Sequence, residues 1–401
     1  MSKDNWKQKT VLFLLSQNIS LFGSSLVSFA IIWHITLETS SGSWMTLLIL
    51  CSLMPQVLVS LWGGVLADRY SRKYIIMLAD GFIALATLLL AIFYWLGYGS
   101  LWLIMGISVV RSIGAGIQTP AVNAILPQIV PGEMLTRVNG INQTLNSTLM
   151  LLSPAAGGAA LAFLGIEWAF MADVITASLG ILVLYFMEFE RTTPEREAQS
   201  ALKDLREGIS YTFRSELLKY LVFYYGISFF LITPAAFLTP IMIERSFGPE
   251  VWRLTANEIV WTVGSLLGGA YVSYKGAFAN KVKVIARCLI AYGVTFGLLG
   301  VAANFEAYLL IMGIAGIFLP IMVTAETVLI QERVEDMMLG RVFSIIHLIA
   351  ASAMPLAMLI FGPLADIVRI EFILLGSGGL LAFAGLTFHQ YSKKYETGPS
   401  F

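Results

Sequence analysis

Apolar residues run along this chain in long unbroken blocks, not in the alternation of a strand or the narrow stripe of a soluble helix. Twelve blocks stand out, at 11–37, 44–66, 74–96, 101–124, 137–163, 167–188, 217–241, 257–274, 282–303, 306–328, 341–365 and 370–391. A helix needs about 20 mostly apolar residues to cross a bilayer, and each block is close to that length. The polar connections are short, with one exception at 189–216. The pattern predicts an all-α integral membrane protein of twelve transmembrane helices. Composition agrees: 57% of the 401 residues are hydrophobic and 12% are charged, against about 25% charged in soluble domains. The balanced charge says little about partners, so the position of each charge matters more.

Lys and Arg in the loops set the orientation. One side collects Lys3, Lys7, Lys9, Arg69, Arg72, Lys73, Arg137, Lys275, Lys281, Lys283, Arg333, Arg341, Lys393 and Lys394, with the bases of the long connection. The other side holds Arg245, Arg253 and Arg369. Both termini are therefore expected in the cytoplasm, and the first block reads as an uncleaved span. In the long connection Leu202, Leu205, Ile209 and Phe213 recur at spacings of three and four between charged residues. That predicts an amphipathic cytoplasmic linker, 189–216, lying on the inner membrane surface. It joins two six-helix bundles, 1–188 and 217–401.

The halves resemble each other. Gly63-Gly64 pairs with Gly268-Gly269, Gln128 to Arg137 with Gln331 to Arg341, and Ser153-Pro154 with Met354-Pro355, at offsets of 205, 203–204 and 201 residues. Offsets this uniform predict an internal duplication and two pseudo-symmetric halves. Such parallel repeats place a binding site near the bilayer midplane between the halves.

The segment Gly63 to Lys73 reads as a tight charged turn between the second and third spans. Its residues Gly64-Val65-Leu66-Ala67-Asp68-Arg69, followed by Arg72-Lys73, resemble the loop 2–3 signature of the major facilitator superfamily. The glycine pair permits close approach to a helix of the other half. Asp68 is placed to accept hydrogen bonds from Arg72 or to meet the N-terminal end of the eleventh span, near Gly340 and Arg341. Making and breaking that contact would be a conformational gate. The second copy has lost the acid, so the latch would be asymmetric.

Arg111 sits near the middle of the fourth span, in Arg111-Ser112-Ile113-Gly114-Ala115-Gly116, a spacing that resembles a second signature tied in proton-driven members to proton transfer. An arginine at that depth needs a partner or a cavity, and it cannot itself release a proton. Its roles are to hold a neighbouring acid ionised or to bind an anion. Ser153-Pro154-Ala155-Ala156-Gly157-Gly158 resembles the exporter signature of the same family, with Ser153 in place of a glycine. Pro154 kinks the helix, while Gly157 and Gly158 allow tight packing. Asp80 and Asp173 lie about 9 Å inside the third and sixth spans at 1.5 Å per residue. Glu326 lies toward the cytoplasmic end of the tenth span and His347 about two turns into the eleventh, close enough in depth to pair with each other. Carboxyls in apolar surroundings exchange protons nearer neutral pH, which makes these four, with Arg111, the candidates for proton coupling. Helix capping and tethering are the structural alternative for each.

Cavity-lining candidates are Gln17, Asn18 and Ser24 in the polar first span, Asn142 and Asn146 in the fifth, and Tyr225 and Phe229 in the aromatic seventh. Aromatic rings suit flat, amphipathic or basic ligands. The chain has no phosphate-binding glycine loop, no zinc-type His/Cys cluster and no nucleophile elbow, so no metal, cofactor, enzymatic reaction or nucleic acid is implied. Together with Leu339-Gly340-Arg341-Val342-Phe343-Ser344, the signatures resemble the bacterial macrolide-efflux branch of the superfamily. That resemblance implies drug/proton antiport by alternating access, with a small molecule, protons and the lipid bilayer of a bacterial cytoplasmic membrane as partners and a monomer as the working unit. An exporter or importer of an endogenous metabolite, such as a siderophore or peptide, fits the same motifs. A non-transporting sensor or scaffold is a third reading.

Overall fold

A computed structural model describes residues 5–188 and 201–396. Lys3, the 189–200 part of the linker and the side chains of Leu202, Leu205, Lys393 and Lys394 lie outside the described residues, as do the side chains of Asp68 and His347. The described residues form helices: α1 (Asn5–Thr39), α2 (Gly42–Arg69), α3 (Arg72–Trp95), α4 (Leu101–Ile129), α5 (Leu135–Phe163), α6 (Ile166–Phe186), α7 (Ala201–Arg214), α8 (Glu216–Phe237), α9 (Thr239–Phe247), α10 (Val251–Lys275), α11 (Lys281–Leu299), α12 (Phe305–Arg333), α13 (Asp336–Ile367) and α14 (Ile370–Glu396). Eleven spans among them are long and apolar enough to cross a membrane. The segment α10 is long enough but falls outside that set, because Arg253, Asn257 and Glu258 make its first half more polar.

The helices are amphipathic in the inverted sense of a membrane protein. In α3 the outward face carries Leu78, Phe82, Leu85 and Leu89, while the buried face carries Asp80 and Thr87 beside Ile76 and Leu90. Apolar residues at that spacing face lipid, and polar groups turn inward where partners satisfy them.

Two compact units can be separated. One comprises α1, α2 from Leu47 onward, α3 to α6, and Glu250–Thr255; the other comprises Ser40–Thr46, α7 to α9, α10 from Ala256 onward, and α11 to α14. Each repeats one packing scheme. In the first, α1 packs on α5 and α6, and α3 on α4 and α6; in the second, α8 packs on α13 and α14, and α11 on α12 and α14. The duplication reaches individual backbone contacts. A Cβ at Gly63 would collide with the carbonyl oxygen of Gly116 on α4, and one at Gly268 with the carbonyl of Ile317 on α12. Gly64 and Gly269, the second member of each pair, face open space. Caps are repeated as well: Ser100 accepts from the Leu103 amide at 3.3 Å to open α4, and Asn304 from the Ala307 amide at 2.8 Å to open α12. Such caps satisfy amides that the first helical turn leaves without partners.

Three local expectations change. The segment Gly63 to Lys73 is mostly helix: α2 continues to Arg69 and α3 begins at Arg72, leaving Tyr70 and Ser71 between them. Nothing in Gly63 to Arg69 is a strong helix breaker, so the helix runs past the apolar block. The seventh block is interrupted at Leu238, between α8 and α9. Pro234 and Pro240 flank the break, and each lacks the amide proton that would continue the ladder. The eighth begins at Val251 and not at 257, which carries Asn257 and Glu258 into the body of α10.

Candidate functional site

Four helices of the first unit converge on a buried charge. Asp173 of α6 is completely inaccessible, and the guanidinium of Arg111 on α4 donates to its Oδ2. The Ser24 hydroxyl of α1 donates to Oδ1 at 2.9 Å. The Thr87 hydroxyl of α3 lies 3.0 Å from Oδ2 and 2.9 Å from the Ile83 carbonyl, with one proton to place between them, and it accepts from Arg111. A buried carboxylate with one cation and two hydroxyls around it meets the requirement that internal charge be paired and hydrogen-bonded. Thus Arg111, Asp173 and Ser24, three residues singled out in the sequence, belong to one cluster.

Asp80 forms a second, separately held acid. It is 4% exposed and accepts from Gln118 Nε2 at 3.1 Å. Gln118 also lies 3.4 Å from Gln17 Oε1, and Gln17 Nε2 donates to Ser16 at 3.1 Å. Asp80 is within electrostatic reach of Asp173 but has no ion pair among the described residues. The Asn18 amide donates to the Leu14 carbonyl at 2.8 Å, and its buried Oδ1 has no partner among the described residues.

The remaining acid of the set, Glu326 on α12, is buried in the second unit. It makes neither a hydrogen bond nor an ion pair among the described side chains. Tyr225, Cys288 and Tyr292 lie within its electrostatic reach, and the buried Tyr292 hydroxyl likewise has no partner among the described residues. Tyr225 packs on Phe229 with ring centroids 4.7 Å apart. Asn142 and Asn146 are half-buried on α5.

At the α2–α3 junction, Arg72 donates to the carbonyls of Ala67 at 3.1 Å and Ala124 at 2.6 Å. Lys73 donates to the carbonyls of Tyr185 at 2.7 Å and Met187 at 2.6 Å. Two bases of the motif thus close the ends of α2, α4 and α6, where helix carbonyls lack partners. Arg69 is exposed. The close approach at Gly63 is made to α4 of the same unit. In the second unit, Arg341 pairs with Glu207 of α7 at 3.0 Å, Gly208 of α7 packs against Arg341 and Ile345, and Gly340 faces open space. On α5, Pro154 is inside the helix. Gly157 faces the Leu26 carbonyl of α1, where an added Cβ would come within 3.0 Å; one at Gly158 would strike Thr255 and come within 3.0 Å of Trp33.

The sequence matches the family described as Major Facilitator Superfamily over residues 13–354. The chain belongs to the major facilitator superfamily. It is 26% identical to "Macrolide efflux protein A" of Streptococcus pyogenes over 94% of both chains. It is 21% identical to "Multidrug efflux pump Tap" of Mycobacterium bovis (strain BCG / Pasteur 1173P2), covering 86% of this chain and 83% of that one. Among solved structures, a POT family transporter in complex with 5-aminolevulinic acid shares the fold, with a TM-score of 0.75, 12% identity and 96% of each chain covered. The chain is therefore a multi-pass membrane transporter, and the expected all-α major facilitator architecture is the one it has.

Two features of this major facilitator chain were not singled out from its sequence. Asp366, near the end of α13, accepts from the backbone amides of Gly42 at 2.7 Å and Ser43 at 3.0 Å and from the Ser41 hydroxyl at 3.1 Å. It is the cap of α2. Arg245 joins it at 3.8 Å and donates to the Ser40 and Ala365 carbonyls. The other feature is a small, mostly apolar cavity beside Asn257 and Glu258. An acid next to an amide inside the stretch that starts at Val251 was the available signal; placing the span's start at 257 pushed both to its rim.

Proposed function

We propose that this chain exports an amphipathic drug or related small molecule, macrolide- or tetracycline-like, across a bacterial cytoplasmic membrane in exchange for protons, by alternating access of residues 1–188 against 217–391. The observation that carries the reading is the buried Arg111–Asp173 pair, bonded to Ser24 and Thr87, in a chain that matches a macrolide-efflux protein over 94% of its length. Arg111, Asp173, Ser24 and Thr87 join four helices in one hydrogen-bonded cluster. Asp80 and Glu326 have no ion pair among the described residues, and together with Arg111 and Asp173 they are the proton-coupling residues in this reading. His347 is the relay partner of Glu326 in this reading.

The gate comprises Gly63, Gly64, Asp68, Arg69, Arg72 and Lys73 on one side and Gly340 and Arg341 on the other. Both termini and the α7 linker lie on the cytoplasmic side, as the bias of Lys and Arg across the loops supports. The monomer is the working unit. Gln17, Asn18, Asn142, Asn146, Tyr225 and Phe229 line the substrate path, with Ser24 held by Asp173 until the cluster opens.

A susceptibility panel on drug-sensitive cells, with and without the protein, tests the reading. Higher tolerance of one or more amphipathic antibiotics, abolished by a protonophore, is the expected result. Unchanged tolerance across the panel together with altered uptake or release of an endogenous metabolite would favour the metabolite reading. A phenotype insensitive to Asp68→Asn and Arg111→Ala would favour the non-transporting one.

A further inference from the structure

The cavity beside Glu258 belongs to neither acid cluster of the first unit nor to Glu326. It has a volume of about 140 Å³, and its lining includes Ile232, Thr239, Asn257, Glu258, Trp261 and Met312. Glu258 stands seven residues into α10, about 10 Å along the helix axis. Asn257 Nδ2 donates to Glu258 Oε1 at 3.2 Å. The Asn257 side chain is buried, and its Oδ1 has no partner among the described residues. A buried acceptor without a donor costs free energy unless a donor or a positive charge is placed beside it.

We propose that this cavity binds the positively charged head of an organic amine, with Glu258 as its counter-ion. The proposal rests on the transporter reading above and narrows its cargo to amphipathic molecules bearing a basic or quaternary nitrogen. Three observations select that ligand. The donor set is one carboxylate, one amide oxygen and the Thr239 hydroxyl, too few oxygens for calcium or magnesium, which take about six or more. The Trp261 ring, stacked on Phe296 at 6.3 Å, offers a face to a cation, and methylated ammonium groups are the ions that aromatic walls hold best. Ile232, Ala235 and Met312 suit methyl substituents, which a hydrated inorganic ion would not use. With about 30 Å³ for each water of liquid volume, the space also accommodates the few heavy atoms of such a head.

The test measures binding of choline and of dimethylbutanol, its uncharged carbon isostere, to the purified full-length protein by calorimetry. The expected result is saturable choline binding at least tenfold tighter than that of dimethylbutanol. Glu258→Gln should erase that preference and leave dimethylbutanol unaffected, and Trp261→Leu should weaken choline several-fold. Equal affinity for the two compounds, no choline binding, or an unaltered preference in folded Glu258→Gln overturns the proposal. Should Glu258→Gln fail to fold, the wild-type preference and Trp261→Leu decide: a preference that survives Trp261→Leu unchanged also overturns it. The susceptibility panel reports on transport separately. Choline binding without any efflux phenotype defeats the transport reading alone, and efflux without the choline preference defeats this proposal alone.

Discussion

The guanidinium of Arg111 donates to a carboxylate oxygen of Asp173 that is completely shielded from solvent. Removing one member of such a pair leaves the other charge buried and uncompensated, at a cost of about 3–5 kcal/mol. Arg111→Ala and Asp173→Ala should each lower the thermal unfolding temperature of the purified protein markedly. The double variant Arg111→Leu with Asp173→Leu should recover most of that loss, because apolar residues of similar volume replace buried ion pairs at little cost. Additive losses in the double variant would show that the two residues act apart.

Asp80 is held by a single amide donor. Asp80→Asn keeps a hydrogen-bonding partner for Gln118, since the new amide oxygen accepts as the carboxylate did. Stability should change by under about 1 kcal/mol, while drug-dependent proton movement should fall at least tenfold. Unfolding curves and proton flux measured on one preparation separate the two effects; intact flux removes Asp80 from the proton path.

The repeated glycine pairs give an internally controlled comparison. Gly63→Ala and Gly268→Ala push a methyl into the backbone of α4 and α12, and overpacking of this kind costs about 1–3 kcal/mol. Gly64→Ala and Gly269→Ala add a methyl to open space and should be neutral or slightly stabilising, as Ala is the better helix former. Folded yield and unfolding temperature of the four variants check the pattern. A Gly64→Ala loss as large as that of Gly63→Ala would contradict it.

Asp366 caps α2 through two backbone amides and the Ser41 hydroxyl, while its pairing with Arg245 is long and about one-third exposed. The cap should be the larger contribution. Asp366→Ala should cost about 0.5–2 kcal/mol, and Asp366→Asn, which retains an acceptor, distinctly less. Unfolding temperatures rank the two, and equal losses would shift the weight to the ion pair.

How much of this was legible in the sequence differs by feature. Membrane helices announce themselves because lipid demands long apolar stretches, and Gly63 and Gly268, the first member of each glycine pair, do so because close backbone approach tolerates no side chain. Arg111 and Asp173 were both visible as charges too deep in their spans to stand alone. Their mutual pairing, with Thr87 as the shared hydroxyl, was not visible, since it depends on the rotational setting of four helices. Asp366 and Glu258 were missed for a shared reason. An acid near the drawn end of a span reads as interfacial, and the helices α10 and α13 extend beyond the apolar windows that defined them. The break at Leu238 had Pro234 and Pro240 as its signal, but membrane helices accommodate prolines, so the prolines alone do not fix an interruption.

The central claim is coupling of export to protons. The most direct measurement reconstitutes the protein into liposomes carrying an internal pH dye and adds erythromycin to a preparation with an imposed pH gradient. The account predicts drug movement accompanied by opposite proton movement, with both reduced by Glu326→Gln and Asp80→Asn. Drug movement that proceeds at full rate with no accompanying proton flux would contradict it.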